Sequence, residues 1–280
     1  MTEPFAERWS LPWLVEAFAV SNLAFLAVDV GIAHAVNGFA ETDEWIPVVF
    51  SALAPLLLLP GLLGRRFQRT SGKLVGLGVG IAAIVVGVAG LVFHLESSFF
   101  ESLTLKSLVY AAPFAAPLSY VGLGLLLLVN RFERPRSRSW AQWVVFLAFG
   151  GFVGNFVLSL TDHAQNGFFR PMEWVAVIAG GYGASFLLMA VFGKRGRPFL
   201  RITLGLMAVE ALVGVAGSGL HLIANLRAAK TTSTWDAFVY GAPVFAPLLF
   251  ADLAALAALG LLELERHAPA PHSETTAPAS

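Results

Sequence analysis

The sequence predicts an all-α integral membrane protein with eight transmembrane helices, arranged as two tandem four-helix repeats. Three observations support this prediction: a strongly apolar composition, a series of separate apolar stretches, and sequence blocks that recur about half a chain apart. Of the 280 residues, 57% are hydrophobic and only 13% are charged, whereas about a quarter of the residues of a soluble domain are charged. Lipid is therefore the predicted environment of most of the chain.

The apolar stretches have the length and pattern of membrane-spanning helices. Each is about 20 residues or longer, which crosses a hydrocarbon core of about 30 Å at about 1.5 Å per residue. Membrane β-barrels instead show alternating segments of about ten residues. The first stretch contains Glu16 and follows no short basic leader, which favours a retained helix over a signal peptide. The predicted spans cover residues 11–37, 44–63, 73–95, 106–129, 140–163, 173–192, 199–224 and 237–263.

Basic residues are concentrated in alternate loops. The loops that follow spans two, four and six are rich in Lys and Arg, whereas the other loops are poor in them. By the positive-inside rule, the basic loops and both termini are cytoplasmic. The Ala-rich, Arg-favouring composition indicates a bacterial inner membrane. The basic residues of the three loops are Arg65, Arg66, Arg69, Lys73, Arg131, Arg134, Arg136, Arg138, Lys194, Arg195, Arg197 and Arg201.

The charge balance and the absence of cysteine exclude several partners and sites. Lys plus Arg and Asp plus Glu each number 18, so the net charge does not indicate a nucleic-acid partner. A sequence without cysteine excludes disulfides, thiolate zinc sites and iron–sulfur clusters. The principal predicted partner is the lipid bilayer.

Two sequence blocks of the first half recur in the second half. LVYAAPFAAPL at residues 108–118 returns as FVYGAPVFAPL at 238–248, a shift of 130 residues. HAVNGFAETDEW at 34–45 returns as HAQNGFFRPMEW at 163–174, a shift of 129 residues. The shifts are almost equal although the two blocks lie far apart within each half, which indicates a duplication.

The duplication also predicts how the two halves are related. The repeats cover residues 1–135 and 136–264, and each holds an even number of predicted spans. Both repeats therefore have the same orientation, related by a pseudo-twofold axis along the membrane normal. Residues 265–280 are rich in Pro, Ala, Ser and Thr and are predicted to form a disordered cytoplasmic tail.

Four histidines are predicted at the outer ends of odd-numbered spans, two in each repeat. His34 and His94 end spans one and three, and His163 and His221 end spans five and seven. Ionisable groups at membrane depth are costly and indicate a functional site. One histidine at a helix end is more often an interfacial hydrogen-bonding residue, but four at matching positions make a shared or paired ligand role an equal alternative.

Glycines share a helix face with the second histidine of each repeat. They lie one and two turns deeper than the histidine, because their spacing keeps them on its side of the helix. A glycine face would let a flat ring lie against the backbone, as in a bis-histidine haem site. The alternative is that small residues let neighbouring helices pack closely. The glycines are Gly87, Gly90, Gly214 and Gly217.

Carboxylates near the histidines allow a metal site instead of haem. Asp162 precedes His163, and Glu96 follows His94 by two residues. Nitrogen and oxygen ligands without sulfur suit several transition metals, so these residues do not select one. The predicted cofactor is haem b or a transition metal, held by the four histidines and, for a metal, also by Asp162 and Glu96.

Other carboxylates lie inside the predicted spans. Glu16, Asp29, Glu210 and Asp252 fall in spans whose own sequences offer no Lys or Arg partner. Unpaired carboxylates at this depth are expected to be protonated or neutralised by a cation. Glu210 shares a helix face with His221, so Glu210, Asp252 and Asp29 are candidates for a proton path. The alternative for each is a buried acid that is hydrogen-bonded to a backbone carbonyl.

Paired prolines fall early in spans four and eight. Pro113 and Pro117 occupy the first repeat, and Pro243 and Pro247 the second. Proline removes a backbone donor and clashes with the preceding turn, so these helices are expected to kink or to begin late. The freed carbonyls then need other partners. We expect irregular backbone, and a cavity, on the same side of the membrane as the histidines.

These features leave three functional hypotheses. The first is a cofactor-binding protein for electron transfer or membrane redox chemistry, which works with a redox partner or a larger membrane complex. The second is a proton- or cation-coupled carrier of a small solute, and the third is a non-catalytic subunit or assembly factor. The sequence contains no nucleotide-binding glycine loop and no recognisable catalytic triad.

Overall fold

The computed structural model describes residues 10–96, 99–110, 112–193, 196–231 and 233–269. Within these ranges all regular secondary structure is helical, which confirms the predicted all-α class. The long helices are α1 (Leu11–Ala35), α2 (Trp45–Leu63), α3 (Thr70–Glu96), α4 (Leu118–Phe132), α5 (Arg138–Gln165), α6 (Glu173–Phe192), α7 (Arg197–Ala228) and α8 (Leu248–His267). Short helical turns cover Thr42–Glu44, Phe99–Ser102, Leu105–Val109 and Thr234–Val239.

Six of the described helices are long and apolar enough to cross a membrane: α1, α2 together with the turn before it, α3, α5, α6 and α7. Large apolar side chains such as Leu56, Val85 and Leu212 are exposed along them, which suits contact with lipid. Helix α4 is apolar but has only 15 residues, a length of about 22 Å. Helix α8 has 20 residues and carries charged groups at its C-terminal end.

Helices α4 and α8 begin later than the predicted spans at 106 and 237. Pro117 caps the N-terminus of α4 and Pro247 caps that of α8. Proline is tolerated at the first turn of a helix, where its missing N–H is not needed, but not inside it. The chain before each proline therefore forms a short helix, Leu105–Val109 or Thr234–Val239, followed by irregular backbone. The prediction of a delayed start is confirmed.

The predicted tail at 265–280 begins too early, because α8 continues to His267. Ion pairs hold its last turn: Arg201 Nε donates to Glu265 Oε1 at 2.6 Å, and Arg266 Nη1 donates to Glu263 Oε2 at 2.9 Å. These contacts extend the helix beyond its apolar part. Residues 270–280 of the predicted tail lie outside the described residues.

The helices pack as two groups of four in chain order. In the first group, α1 packs against α2 and α4, and α3 packs against the same two helices. In the second group, α5 and α7 each pack against both α6 and α8. The groups meet where α4 contacts α5 and where α1 contacts α8. Large side chains such as Leu23, Leu127, Trp140, Phe152 and Phe250 fill the core.

Glu16 forms a buried ion pair with Arg131, so the prediction that no cation reaches this carboxylate is wrong. Arg131 Nη1 and Nη2 donate to Glu16 Oε2 and Oε1 at 2.6 and 2.5 Å. Asn130 Nδ2 also donates to Glu16 Oε2 at 2.9 Å, and Trp140 Nε1 donates to Asn130 Oδ1 at 3.3 Å. Arg131 belongs to α4 and not to the following loop, which turns it towards α1. Gly76 of α3 leaves room for the guanidinium.

Candidate functional site

The two histidines of the first half meet at one end of the bundle. The ring centroids of His34, at the end of α1, and His94, in the last turn of α3, lie 6.3 Å apart with an interplanar angle of 72°. His94 Nδ1 lies 3.0 Å from Pro113 O. A carbonyl only accepts, so Nδ1 carries the donated proton and the neutral ring has its lone pair on Nε2. His34 Nδ1 lies 3.6 Å from Glu44 Oε2.

The second half repeats this arrangement. His221 Nδ1 donates to Pro243 O at 2.8 Å, and His163 Nδ1 lies 3.9 Å from Glu173 Oε2. His163 and His221 are close enough to interact electrostatically, and His221 also interacts with Asp162. The four predicted ligands are thus brought together as two pairs, His34 with His94 and His163 with His221.

A tight turn after α1 and after α5 sets the position of each carboxylate. Gly38 and Gly167 have φ of 69° and 70°, which confirms their predicted role as left-handed helix caps. After the turn, Phe39 stacks on Trp45 with centroids 4.2 Å apart, and Phe168 stacks on Trp174 at 4.1 Å. Each stack fixes the start of the next helix. Glu44 and Glu173, which precede the two tryptophans, therefore face back towards the histidines.

Each histidine pair has a buried carboxylate oxygen beside it. Glu44 Oε2 and Glu173 Oε2 have no hydrogen-bond partner among the described residues. Glu44 Oε1 accepts from Asn37 Nδ2 at 2.6 Å, so the carboxylate is held in place. An oriented imidazole next to a carboxylate is an arrangement that protein metal sites use. The two sites therefore fit a positively charged group.

The structure gives the four predicted glycines a packing role. A Cβ on Gly87 would lie 2.7 Å from Pro117 O, and one on Gly214 would lie 2.7 Å from Pro247 O. A Cβ on Gly90 or Gly217 would meet the ring of the same proline at 3.0 or 2.9 Å. The backbone of α4 or α8 thus covers the glycine face that a flat ring would need. This arrangement supports close helix packing and not the contact with haem.

Replacing Gly214 with alanine is expected to lower the free energy of unfolding by about 1–3 kcal/mol, because the new Cβ forces α7 and α8 apart. The control is Gly205→Ala in the same helix, where nothing lies within 4 Å of the new Cβ. That variant is expected to be neutral or more stable by about 0.5–1 kcal/mol. Thermal unfolding in mild detergent measures both, and equal unfolding temperatures for the two variants would contradict the packing role.

The predicted additional metal ligands do not complete a cluster. Among the described residues, no group of three His, Asp or Glu side chains is close enough to hold a metal ion. Glu96 is exposed at the end of α3, whereas Asp162 is half-buried and interacts with His221. Two imidazoles on one metal, each about 2.0 Å from it, would have centroids about 6 Å apart on opposite sides. The measured 6.3 Å between His34 and His94 matches that arrangement.

The three predicted proton-path carboxylates have different neighbours. Asp252 Oδ1 accepts from Asn22 Nδ2 at 3.0 Å, which links α8 to α1. Asp29 lies close to Tyr120, whose hydroxyl is hydrogen-bonded to Ser51 at 2.6 Å. Glu210 is 1% exposed, and its Oε2 has no hydrogen-bond partner among the described residues. The described contacts thus give each of the three its own surroundings.

Two kinds of site residue were missing from the sequence-based predictions. The carbonyls of Pro113 and Pro243 anchor His94 and His221, although the prolines were expected only to free carbonyls of their helices. Asn155 is buried in α5 with an amide nitrogen that has no partner among the described residues. Its signal in the sequence is a polar residue where the other repeat has Leu26.

Comparison of the chain with protein-family models, with characterised proteins and with solved structures finds no match.

Proposed function

We propose that the protein is an eight-span membrane protein that carries two related metal centres, one in each repeat, for electron transfer. His34 with His94 and His163 with His221 would hold haem b or a transition-metal ion. The observation that carries the proposal is the hydrogen bond from Nδ1 of His94 and of His221 to a proline carbonyl. This bond selects the tautomer that presents Nε2 as a ligand.

The number of protein ligands favours haem b over a metal ion alone. A haem iron needs two axial side chains, because the macrocycle supplies its other four ligands, whereas a closed zinc site needs four protein ligands. Each half offers one histidine pair. The unpartnered oxygens of Glu44 and Glu173 add negative charge beside the pairs, which stabilises a cationic centre. When bound, such a centre would supply one-electron redox chemistry.

The proposed arrangement places both centres on the outer side of a bacterial inner membrane. Helices α4 and α8 would complete eight spans, with irregular backbone before each helix covering the remaining thickness. The two repeats would be related by a pseudo-twofold axis along the membrane normal, with both termini cytoplasmic. A redox partner or a larger membrane complex would then reach the centres from the outer surface.

The double variant His94→Ala with His221→Ala is expected to lose binding of an added centre. Full-length protein in mild detergent is titrated with haem b and, separately, with copper(II), followed by absorbance and by metal analysis after desalting. The control is His267→Ala, since His267 lies at the end of α8 and contacts Arg136 O. Equal binding by the double variant and the control would contradict the proposal.

A second candidate function is a proton-coupled carrier of a small solute. The hydrogen bond between Asn22 and Asp252 joins the two groups of helices at a depth where polar contacts are rare. Glu210 would be the protonatable group of the second half. This candidate requires Glu210 to bind a proton inside the membrane.

A further inference from the structure

Glu210 is a buried carboxyl without a cation beside it. It is 1% exposed in the middle of α7, and its Oε2 has no hydrogen-bond partner among the described residues. It lies on the same helix face as Met207 and Gly214, and a Cβ on Gly214 would contact α8. An ionised carboxylate in such an apolar environment is strongly destabilised unless it is paired.

The two helices packed against α7 bring no partner to Glu210. Their titratable side chains are Glu173, Tyr182, Asp252, Glu263, Glu265, Arg266 and His267. Glu173 lies beside His163, Tyr182 is 58% exposed, and Asp252 is bonded to Asn22 of α1. The other four occupy the last turns of α8, about 16 Å or more along the helix from Asp252. Glu210 therefore has to be neutral, which means that it holds a proton.

Asn155 is a second buried polar group in the same half. Its amide nitrogen has no partner among the described residues, and it lies one turn from Phe152 on α5. Phe152 and Phe250 form an edge-to-face pair with centroids 6.2 Å apart, and Phe250 lies against Gly214. Asn155 is nearer the histidine end than this pair, and Glu210 is one turn beyond Gly214 on the other side. The aromatic pair thus separates Asn155 from Glu210.

The first half has apolar residues at the corresponding positions. The shifts that align the repeats match Glu210 with Ala83 and Asn155 with Leu26, both buried. The first half instead buries the paired Glu16 and Arg131. The polar groups without partners are therefore a property of the second half only, which is not what a symmetrical packing requirement would produce.

We propose that Glu210 is a proton-binding site in the membrane interior, and that its proton exchanges with the histidine side of the membrane past Asn155. The site belongs to the second half, and the pair Phe152 and Phe250 limits the rate of exchange. This inference goes beyond the metal centres proposed above, because it requires none of them to be occupied.

The hydrophobic reagent dicyclohexylcarbodiimide tests whether Glu210 is protonated. The carboxyl proton moves to a nitrogen of the reagent, the carboxyl oxygen bonds to its central carbon, and rearrangement gives a stable N-acylurea that keeps all atoms of both. Full-length protein in mild detergent is treated and its peptides are analysed by mass spectrometry. Labelling is expected at Glu210 and at least tenfold less at Glu16, whose carboxylate is held by Arg131.

The variant Glu210→Gln is expected to lose this label and to unfold at the wild-type temperature. Absence of label at Glu210, or equal labelling of Glu16, would overturn the proposal. The result does not depend on histidine ligation, so its failure is distinguishable from failure of the metal centres.

Infrared spectroscopy tests the route of the proton. The C=O band of a protonated Glu210 is expected in the wild type and missing in Glu210→Gln, and it shifts when deuterium replaces the proton. Asn155→Leu is expected to slow this shift at least tenfold, whereas Gly154→Ala, which adds a methyl group in open space, leaves it unchanged. Equal exchange in these two variants would overturn the role of Asn155.

Discussion

Replacing Arg131 with methionine is expected to destabilise the protein by about 3–5 kcal/mol, because it leaves the carboxylate of Glu16 buried without its cation. Glu16 is 0% exposed and Arg131 is 4% exposed, so water does not compensate for the lost partner. Asn130 alone would remain as a donor to Glu16. Thermal unfolding in mild detergent, together with the yield of monodisperse protein, measures the loss.

The second repeat suggests how to restore the stability. The shifts that align the repeats place Val145 and Leu261 where the first repeat has Glu16 and Arg131. The double variant Glu16→Val with Arg131→Leu is therefore expected to be much more stable than Arg131→Met, because replacing both partners of a buried ion pair by apolar residues is often neutral. A single variant as stable as the wild type, or a double variant as unstable as the single one, would contradict this account.

Replacing His34 with alanine is expected to reduce the number of bound centres from two to one. The reason is that His34 pairs with His94 within the first half, whereas His163 pairs with His221 within the second. The remaining centre should keep the spectrum of the wild type and be lost when His221→Ala is added. Metal or haem content per chain measures the change.

This result also separates two arrangements of the four histidines. If all four served one shared centre, His34→Ala would abolish binding completely. A variant with no bound centre would therefore contradict the assignment of one histidine pair to each half, and so would a variant with two.

The histidine pairs could be predicted from the sequence only in part. The repeated blocks around His34 and His163 showed that the same local structure occurs twice, and the turns at Gly38 and Gly167 have the predicted conformation. The sequence could not show which histidines meet. That depends on the packing of α3 and α7 within their own groups, and on carbonyls of prolines about 20 residues further along the chain.

The errors have physical causes that a linear sequence hides. Arg131 was counted as a loop residue because the positive-inside rule uses charge alone, whereas α4 continues through Phe132 and directs Arg131 to Glu16. The glycine face beside His94 looked open because spacing shows which side of a helix a residue occupies but not what covers that side. In the fold, α4 covers it through Pro117.

The central claim is that two oriented histidine pairs each hold a metal centre. The most direct measurement is the absorbance spectrum and total metal content of wild-type protein that is gently solubilised from its native membrane without added cofactor. The account predicts a Soret band, or a stoichiometric transition metal, at two equivalents per chain. Protein that is folded and pure but has neither the band nor the metal would contradict it.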